Sequence, residues 1–273
     1  MVVLEVKHLK VWDEHTGLVI VRNTSFKLNR GKCLAIVGES GSGKSLTCQA
    51  IMRLTKKPFK QAGEIYLTHV PLHELSEQEM RKKRGKHIYM ILQNGMTAFD
   101  PSCKIKVQLM EILKTHFDWN EQAMEQKLTQ AMESINLRNA KKSLNCYPYQ
   151  LSGGMLQRIM IALALVLEPD VIIADEPTTG LDTISQFEVI NQLLKLRQTM
   201  KSAIIFVSHD LGIVRKIADE VIVMKGGEVV EKGSVERIFT NPSHDYTKFL
   251  MFTREALGIK FKEIMEKSYA AKS

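Results

Sequence analysis

At 273 residues, with 44% hydrophobic and 25% charged residues, the chain can build one large domain with an inserted or appended subdomain, and its composition excludes a largely disordered, collagen-like or coiled-coil protein. The longest apolar run, Ile159 to Leu167, falls far short of the roughly 20 residues of a spanning helix; Met1-Val2-Val3-Leu4-Glu5-Val6 has no leader pattern, so a cytosolic chain is expected. The net charge of +8 is concentrated partly in Arg81-Lys82-Lys83-Arg84-Gly85-Lys86, where no aromatic residue is interleaved to stack on bases; a solvated face is expected there, and no nucleic-acid partner.

Val2 to Val6 and Val19 to Leu28 read as strands, rich in branched residues. Cys33-Leu34-Ala35-Ile36-Val37 is an apolar run ending at a glycine, as a buried parallel strand does. Ser45 to Leu54 reads as a helix, with short strands at about Glu64 to Leu67 and Ile88 to Leu92. From Val107 to about Lys142 the spacing turns helical, and Gly153 to Leu167 is a helix closed by Glu168-Pro169. Val171 to Ala174 is a buried strand, Ser185 to Met200 a helix, and Ala203 to Val207 a second buried strand. A short helix (Leu211 to Ala218) and two strands around Gly226-Gly227 close the alternation. Such alternation implies an α/β sheet with helices on both faces. The chain divides into a domain over 1–240, carrying a helical insertion over about 94–158, and a helical tail over 241–273. The tail is expected to lie on the domain or on a partner, because Phe249, Leu250, Phe252 and Leu257 recur at helical spacing. Cys33, Cys48, Cys103 and Cys146 lie far apart and are expected to be packing thiols.

Gly38-Glu39-Ser40-Gly41-Ser42-Gly43-Lys44-Ser45 fits the phosphate-loop pattern G-x-x-x-x-G-K-[ST], between a predicted strand and a predicted helix. Glycines let successive N–H groups and the helix N-terminus face a polyphosphate. Lys44 is suited to the β- and γ-phosphates, and Ser45 to Mg²⁺. Asp175 and Glu176 end the strand Val171 to Ala174, where open α/β sheets bind ligands. Asp175 is suited to hold Mg²⁺ and Glu176 to deprotonate an attacking water. These features leave GTPase, kinase, AAA-type motor and transporter ATPase open, although an Asn-Lys-x-Asp guanine-reading motif is missing.

Leu151-Ser152-Gly153-Gly154-Met155 resembles the signature motif of ATP-binding cassette (ABC) ATPases, and the likeness extends from Leu4 to about Thr247. It implies a P-loop NTPase ABC cassette with an antiparallel β subdomain and an inserted α-helical subdomain, using ATP and Mg²⁺. By the same resemblance, ATP is held by Gly38 to Leu46, with Trp12 stacking on adenine. Gln93 matches the Q-loop glutamine that touches Mg²⁺ together with Ser45 and Asp175. His209 matches the switch histidine at the γ-phosphate, so that Glu176, His209 and Gln93 form the catalytic set, and Gly180-Leu181-Asp182 resembles the D-loop that crosses the dimer interface.

Within the family the chain is most similar to ATPase subunits of peptide and nickel importers. Gln93-Asn94-Gly95-Met96-Thr97-Ala98-Phe99-Asp100-Pro101 resembles their stretch after the Q-loop, although many relatives have proline at Gly95. Met155 stands where glutamine is commonest in the wider family, and Asn241-Pro242-Ser243-His244-Asp245-Tyr246-Thr247 resembles their His-Pro-Tyr-Thr segment, with Asp245 in place of proline. Some peptide importers add a cysteine-rich C-terminal extension, and nothing after Cys146 is cysteine here. The resemblance therefore implies uptake of nickel or a related metal or metal-chelate, with dipeptide or oligopeptide import as the alternative and a non-transporting ABC ATPase as the remoter one. It implies two membrane permease subunits as separate chains, a paralogous ATPase subunit (with a homodimer still open) and an extracytoplasmic substrate-binding protein. Each ATP would lie between one chain's phosphate loop and the other's signature, at the cytoplasmic face of the membrane, with this chain bound peripherally.

Overall fold

The computed structural model describes residues 1–137 and 139–253. Alternating buried and exposed positions make β1 (Val2–Asp13) and β2 (Val19–Asn29), an antiparallel pair. The fully buried β3 (Cys33–Val37) leads through the glycine-rich turn into α1 (Lys44–Ile51). β4 (Phe59–Leu67) and β5 (Val70–Pro71) then return to the first sheet, giving the order β2-β1-β4-β5. After α2 (Glu77–Lys83) and β6 (Ile88–Ile91) the chain is helical: α3 (Gly95–Ala98), α4 (Ile105–His116), α5 (Glu121–Ser134), α6 (Ala140–Leu144) and α7 (Gly153–Leu167). It closes with β7 (Val171–Asp175), α8 (Thr183–Met200), β8 (Ala203–Val207), α9 (Leu211–Ile217), β9 (Glu220–Lys225), β10 (Glu228–Ser234) and α10 (Val235–Thr240).

The second sheet runs β10-β9-β3-β8-β7-β6, parallel except for the β9–β10 hairpin. Its central strands are apolar on both faces because each face feeds a separate core. Cys33, Ala35 and Val37 of β3 pack with the helical layer of α4, α5, α7 and α8, whereas Leu34 and Ile36 pack with β1, β2 and α1. This order sets the C-terminal ends of β3, β8, β7 and β6 side by side, so the segments that follow them share one rim.

The α/β alternation, the antiparallel N-terminal sheet and the helical run between β6 and β7 agree with the sequence reading. Several elements depart from it, among them the additional β5 and the earlier end of α1 at Ile51. β1 continues to Asp13, and β4 starts at Phe59 rather than Glu64. α2 and α10 are additional helices; α2 buries Met80 alone and so shows no apolar stripe. The basic run is only partly a solvated face: Arg81 and Lys82 are exposed, but Arg84 folds inward and donates to the carbonyls of Met52 and Arg53 at 2.9 Å each. Of the tail, 245–253 is helical, and Leu257 with the remainder of 254–273 lies outside the described residues.

Candidate active site

The phosphate loop connects β3 to α1 under tight steric constraint. Gly38 has φ +151°, and a Cβ there would fall 2.1 Å from the Met224 carbonyl oxygen of β9. Gly43 has φ +97°, and its Cβ would press on the Ile20 carbonyl at 3.1 Å. Lys44 is 6% exposed and curls back over the loop, its Nζ donating to the Gly38 carbonyl at 2.9 Å and the Glu39 carbonyl at 2.7 Å. Burial pulls its pKa down, while the Glu176 and Asp175 charges oppose that shift.

β7 brings two carboxylates to the same rim in different conformations. Asp175 ends the strand, is 5% exposed, and accepts a hydrogen bond from the Ser45 hydroxyl at 3.0 Å. Burial pushes its pKa up, helped by the neighbouring Glu176 charge and opposed by the Ser45 hydrogen bond and Lys44. Glu176 turns out of the strand at φ +45°, a left-handed conformation costly for a residue with a Cβ, and its N–H donates to the Val207 carbonyl at 2.9 Å. That turn aims its side chain at the ends of the adjoining strands. Glu176 Oε2 accepts from Gln93 Nε2 at 3.2 Å and from the Thr179 hydroxyl at 2.9 Å, and lies 3.3 Å from His209 Nδ1. The structure therefore gathers Lys44, Ser45, Gln93, Asp175, Glu176 and His209 from four adjacent strand ends.

The other sequence-derived residues sit apart from this cluster. Ser152 caps the 15-residue α7, its hydroxyl accepting the Met155 N–H at 3.2 Å. Ser152 and Gly153 are exposed, Gly154 is buried against Ser185 of α8, and Leu151 and Met155 pack on the helical core. Among the described residues no hydrogen bond joins Ser152 to the phosphate loop. Asp182 caps α8, accepting the Ile184 and Ser185 N–H groups at 3.0 Å each. Trp12 is half-buried opposite Val19 and Lys60 on β1, with Lys10 Nζ 5.7 Å from its ring centre. Beyond Val19, Ile20 and Val21 of β2 abut Gly43, and among the described residues no hydrogen bond joins Trp12 to the phosphate loop.

Two side chains at the site escaped the sequence reading. Thr179 binds Glu176 twice, through its hydroxyl and through an N–H donated to the Glu176 carbonyl at 3.1 Å; the Glu176-Pro177-Thr178-Thr179 run was its one signal, as a turn with proline second. Gln157, buried within α7, donates to the Leu92 carbonyl at 3.0 Å, next to Gln93. A buried glutamine in an otherwise apolar helix is itself a signal of a specific polar partner.

Residues 21–179 match a family profile described as ABC transporter. The chain is 44% identical over 265 residues to the metal-staphylopine import system ATP-binding protein CntD of Staphylococcus aureus (strain NCTC 8325 / PS 47), covering 97% of this chain and 98% of that one. It is 41% identical to the oligopeptide transport ATP-binding protein OppD of Bacillus subtilis (strain 168), covering 93% of this chain and 72% of OppD. Among solved structures, the dimeric post-hydrolysis ATP-binding cassette MJ0796 bound to ADP and Pi superposes with a TM-score of 0.75 at 25% identity, over 85% of this chain and 98% of that one.

Proposed function

This chain belongs to the ABC transporter family, and on that basis we propose that it drives uptake of nickel or a related metal-chelate through separate permease chains. It is an ATPase of the importer type. The observation that carries the solute class is the 44% identity, spanning 97% of the chain, to a metal-staphylopine import ATP-binding protein. A peptide-import reading is kept beside it on the strength of 41% identity to an oligopeptide ATP-binding protein over 93% of the chain.

In this reading the N–H groups from Gly41 to Leu46 and the N-terminus of α1 hold the ATP phosphates, and Lys44, fixed by two carbonyls, reaches the β- and γ-phosphates. Trp12 stacks on the adenine. Ser45, Asp175 and Gln93 offer the oxygen donors that a hard divalent cation takes, and the charge buried on Asp175 fits a Mg²⁺ partner. Magnesium, when bound, neutralises charge on the transferring phosphate. Glu176 Oε2 accepts the proton of the attacking water, while Gln93, Thr179 and His209 keep that oxygen facing the rim. His209 also contacts the γ-phosphate.

The exposed N-terminus of α7, with Ser152 and Gly153 at its tip, supports a second role: binding the nucleotide held on the opposite chain's phosphate loop. Asp182 lies at the same junction. The opposite chain is a paralogous ATPase subunit, and the complex is completed by two permeases and an extracytoplasmic substrate-binding protein. The subunit sits peripherally at the cytoplasmic face of the membrane in this reading, and no described helix is long and apolar enough to cross one.

The test is the reconstituted complex. Glu176→Gln is expected to retain ATP but lose hydrolysis by at least about a hundredfold, and Lys44→Ala to weaken both. Wild-type turnover by Glu176→Gln would refute the catalytic assignment. ATPase stimulation by a binding protein loaded with nickel-chelate, and not with dipeptide, is expected; the reverse pattern would replace the solute reading with peptide import.

A further inference from the structure

The segment Asn241-Pro242-Ser243-His244-Asp245-Tyr246-Thr247 supplies nothing to the chemistry above, yet it is built against the phosphate loop. Its anchor is Glu231 on β10, 8% exposed, whose carboxylate accepts the Ser243 N–H at 2.7 Å and the His244 N–H at 3.0 Å. Burial pushes the Glu231 pKa up, but the polar groups of Ser243, Thr247 and His244 together outweigh it and hold the carboxyl below its ordinary range. His244 Nδ1 then accepts the Tyr246 N–H at 3.1 Å, which starts the helix over 245–253. The outcome is a fixed direction for one side chain. Tyr246 is 6% exposed, with Lys225 Nζ 4.8 Å from its ring centre, and its hydroxyl oxygen accepts the Glu39 N–H at 3.0 Å.

That N–H belongs to the peptide plane whose carbonyl, on Gly38, accepts from Lys44 Nζ; the next carbonyl, on Glu39, accepts from the same ammonium. A peptide beside a glycine meets little steric resistance to turning. With Tyr246 on its N–H edge and Lys44 on its C=O edge, this plane is held from both sides. We propose that Tyr246 is a positioning residue for the phosphate loop: by accepting the Glu39 N–H it orients the peptide plane whose Gly38 carbonyl aims Lys44, and segment 241–247, keyed by Glu231, is the clasp that presents it. A cavity of about 280 Å³ separates the loop from the helix over 245–253, with His209 and Phe249 on its wall, so the loop rests on this helix through Tyr246 rather than through continuous packing.

The inference rests on residues 38–46 being the ATP site. Its test uses the full chain. Tyr246→Phe keeps the ring and removes only the hydroxyl, so the melting temperature is expected to stay within about 2 °C. Losing one neutral hydrogen bond changes an equilibrium by about two- to tenfold, so a fluorescent ATP analogue is expected to bind about three- to tenfold more weakly. Amide hydrogen exchange should rise over residues 38–42 and remain unchanged in the β7 and β8 strands. In the assembled complex the KM for ATP should rise while kcat stays within about twofold. Lys44→Ala is the control. If Lys44→Ala binds the analogue like wild type, the ATP-site reading itself fails. If Lys44→Ala loses binding but Tyr246→Phe matches wild type in affinity and exchange, that reading stands and the clasp is overturned. A general rise in exchange with a lower melting temperature would also overturn it, by assigning Tyr246 to packing alone.

Discussion

The Ser45 hydroxyl donates to Oδ1 of Asp175 across 3.0 Å, although 130 residues separate the two in the chain. The bond joins the first turn of α1 to the end of β7 and gives the buried carboxylate one neutral partner. Burial and the adjacent Glu176 charge still raise the Asp175 pKa. Below the ordinary value of 3.8 the group is protonated in both folded and unfolded chains; as pH rises through its higher folded pKa, the folded chain alone bears the cost of a buried charge.

Asp175→Asn is therefore expected to stabilise the nucleotide-free protein at neutral pH, by about 2–4 °C in melting temperature. The gain should shrink as pH falls through the carboxylate range and vanish below it. Thermal unfolding of both proteins between pH 4 and 8 checks this; a gain independent of pH would contradict the buried-charge argument.

Thr179 tethers the Glu176 carboxylate through its hydroxyl. Thr179→Val keeps the side chain's shape but not that bond, and is expected to lower kcat about tenfold in the assembled complex without changing ATP affinity. Thr179→Ser should restore the rate. Equal rates for the valine and serine variants would remove the hydroxyl from the argument.

Ser152 is exposed at the N-terminus of α7 and has no hydrogen bond to its own phosphate loop among the described residues. Ser152→Arg chains mixed with an intact paralogue are expected to silence the ATP site built on the paralogue's phosphate loop and to spare binding at Lys44. Loss of nucleotide from the mutant's own loop, with folding intact, would defeat the shared-site arrangement.

Gly95 packs on α7 so closely that an added Cβ would sit 2.8 Å from Leu156 Cβ. Gly95→Ala is expected to cost about 1–3 kcal/mol by overpacking. A chemical-denaturation curve indistinguishable from wild type would show that α3 moves aside freely.

The chemical motifs were readable because each is local: a strand end, a few residues, a helix start. Their convergence follows from parallel sheet order, which alternating apolar runs imply but do not number. What is not legible in the sequence depends on local backbone distortion or distant pairing. The sequence shows β1 only to Val6 because His8 adopts φ +50° and the pairing with β2 shifts register between Val6 and Leu9 and again before Val11, which scrambles the period of two. α2 lacks an apolar stripe, although Ser76 and Glu79 form a capping box that marks its start. Thr179 stands three residues from Glu176, but its hydroxyl reaches the carboxylate in a backbone whose left-handed turn at Glu176 no propensity announces. Tyr246 meets Glu39 across 207 residues, a pairing that no window of sequence contains.

Gln157 donates to the Leu92 carbonyl, and Gly95 lies flush against the same helix, so the helix that carries Ser152 is tied to the backbone on both sides of Gln93. Under the proposed pairing, Ser152 is pulled by the nucleotide on the other chain, while Gln93 holds the Glu176 carboxylate of its own chain. A pull on Ser152 would, under that pairing, be felt at Gln93. Under the same pairing the proposed general base of each chain would register its neighbour's loading through one amide–carbonyl contact, Gln157 to Leu92, that lies outside the phosphate loop.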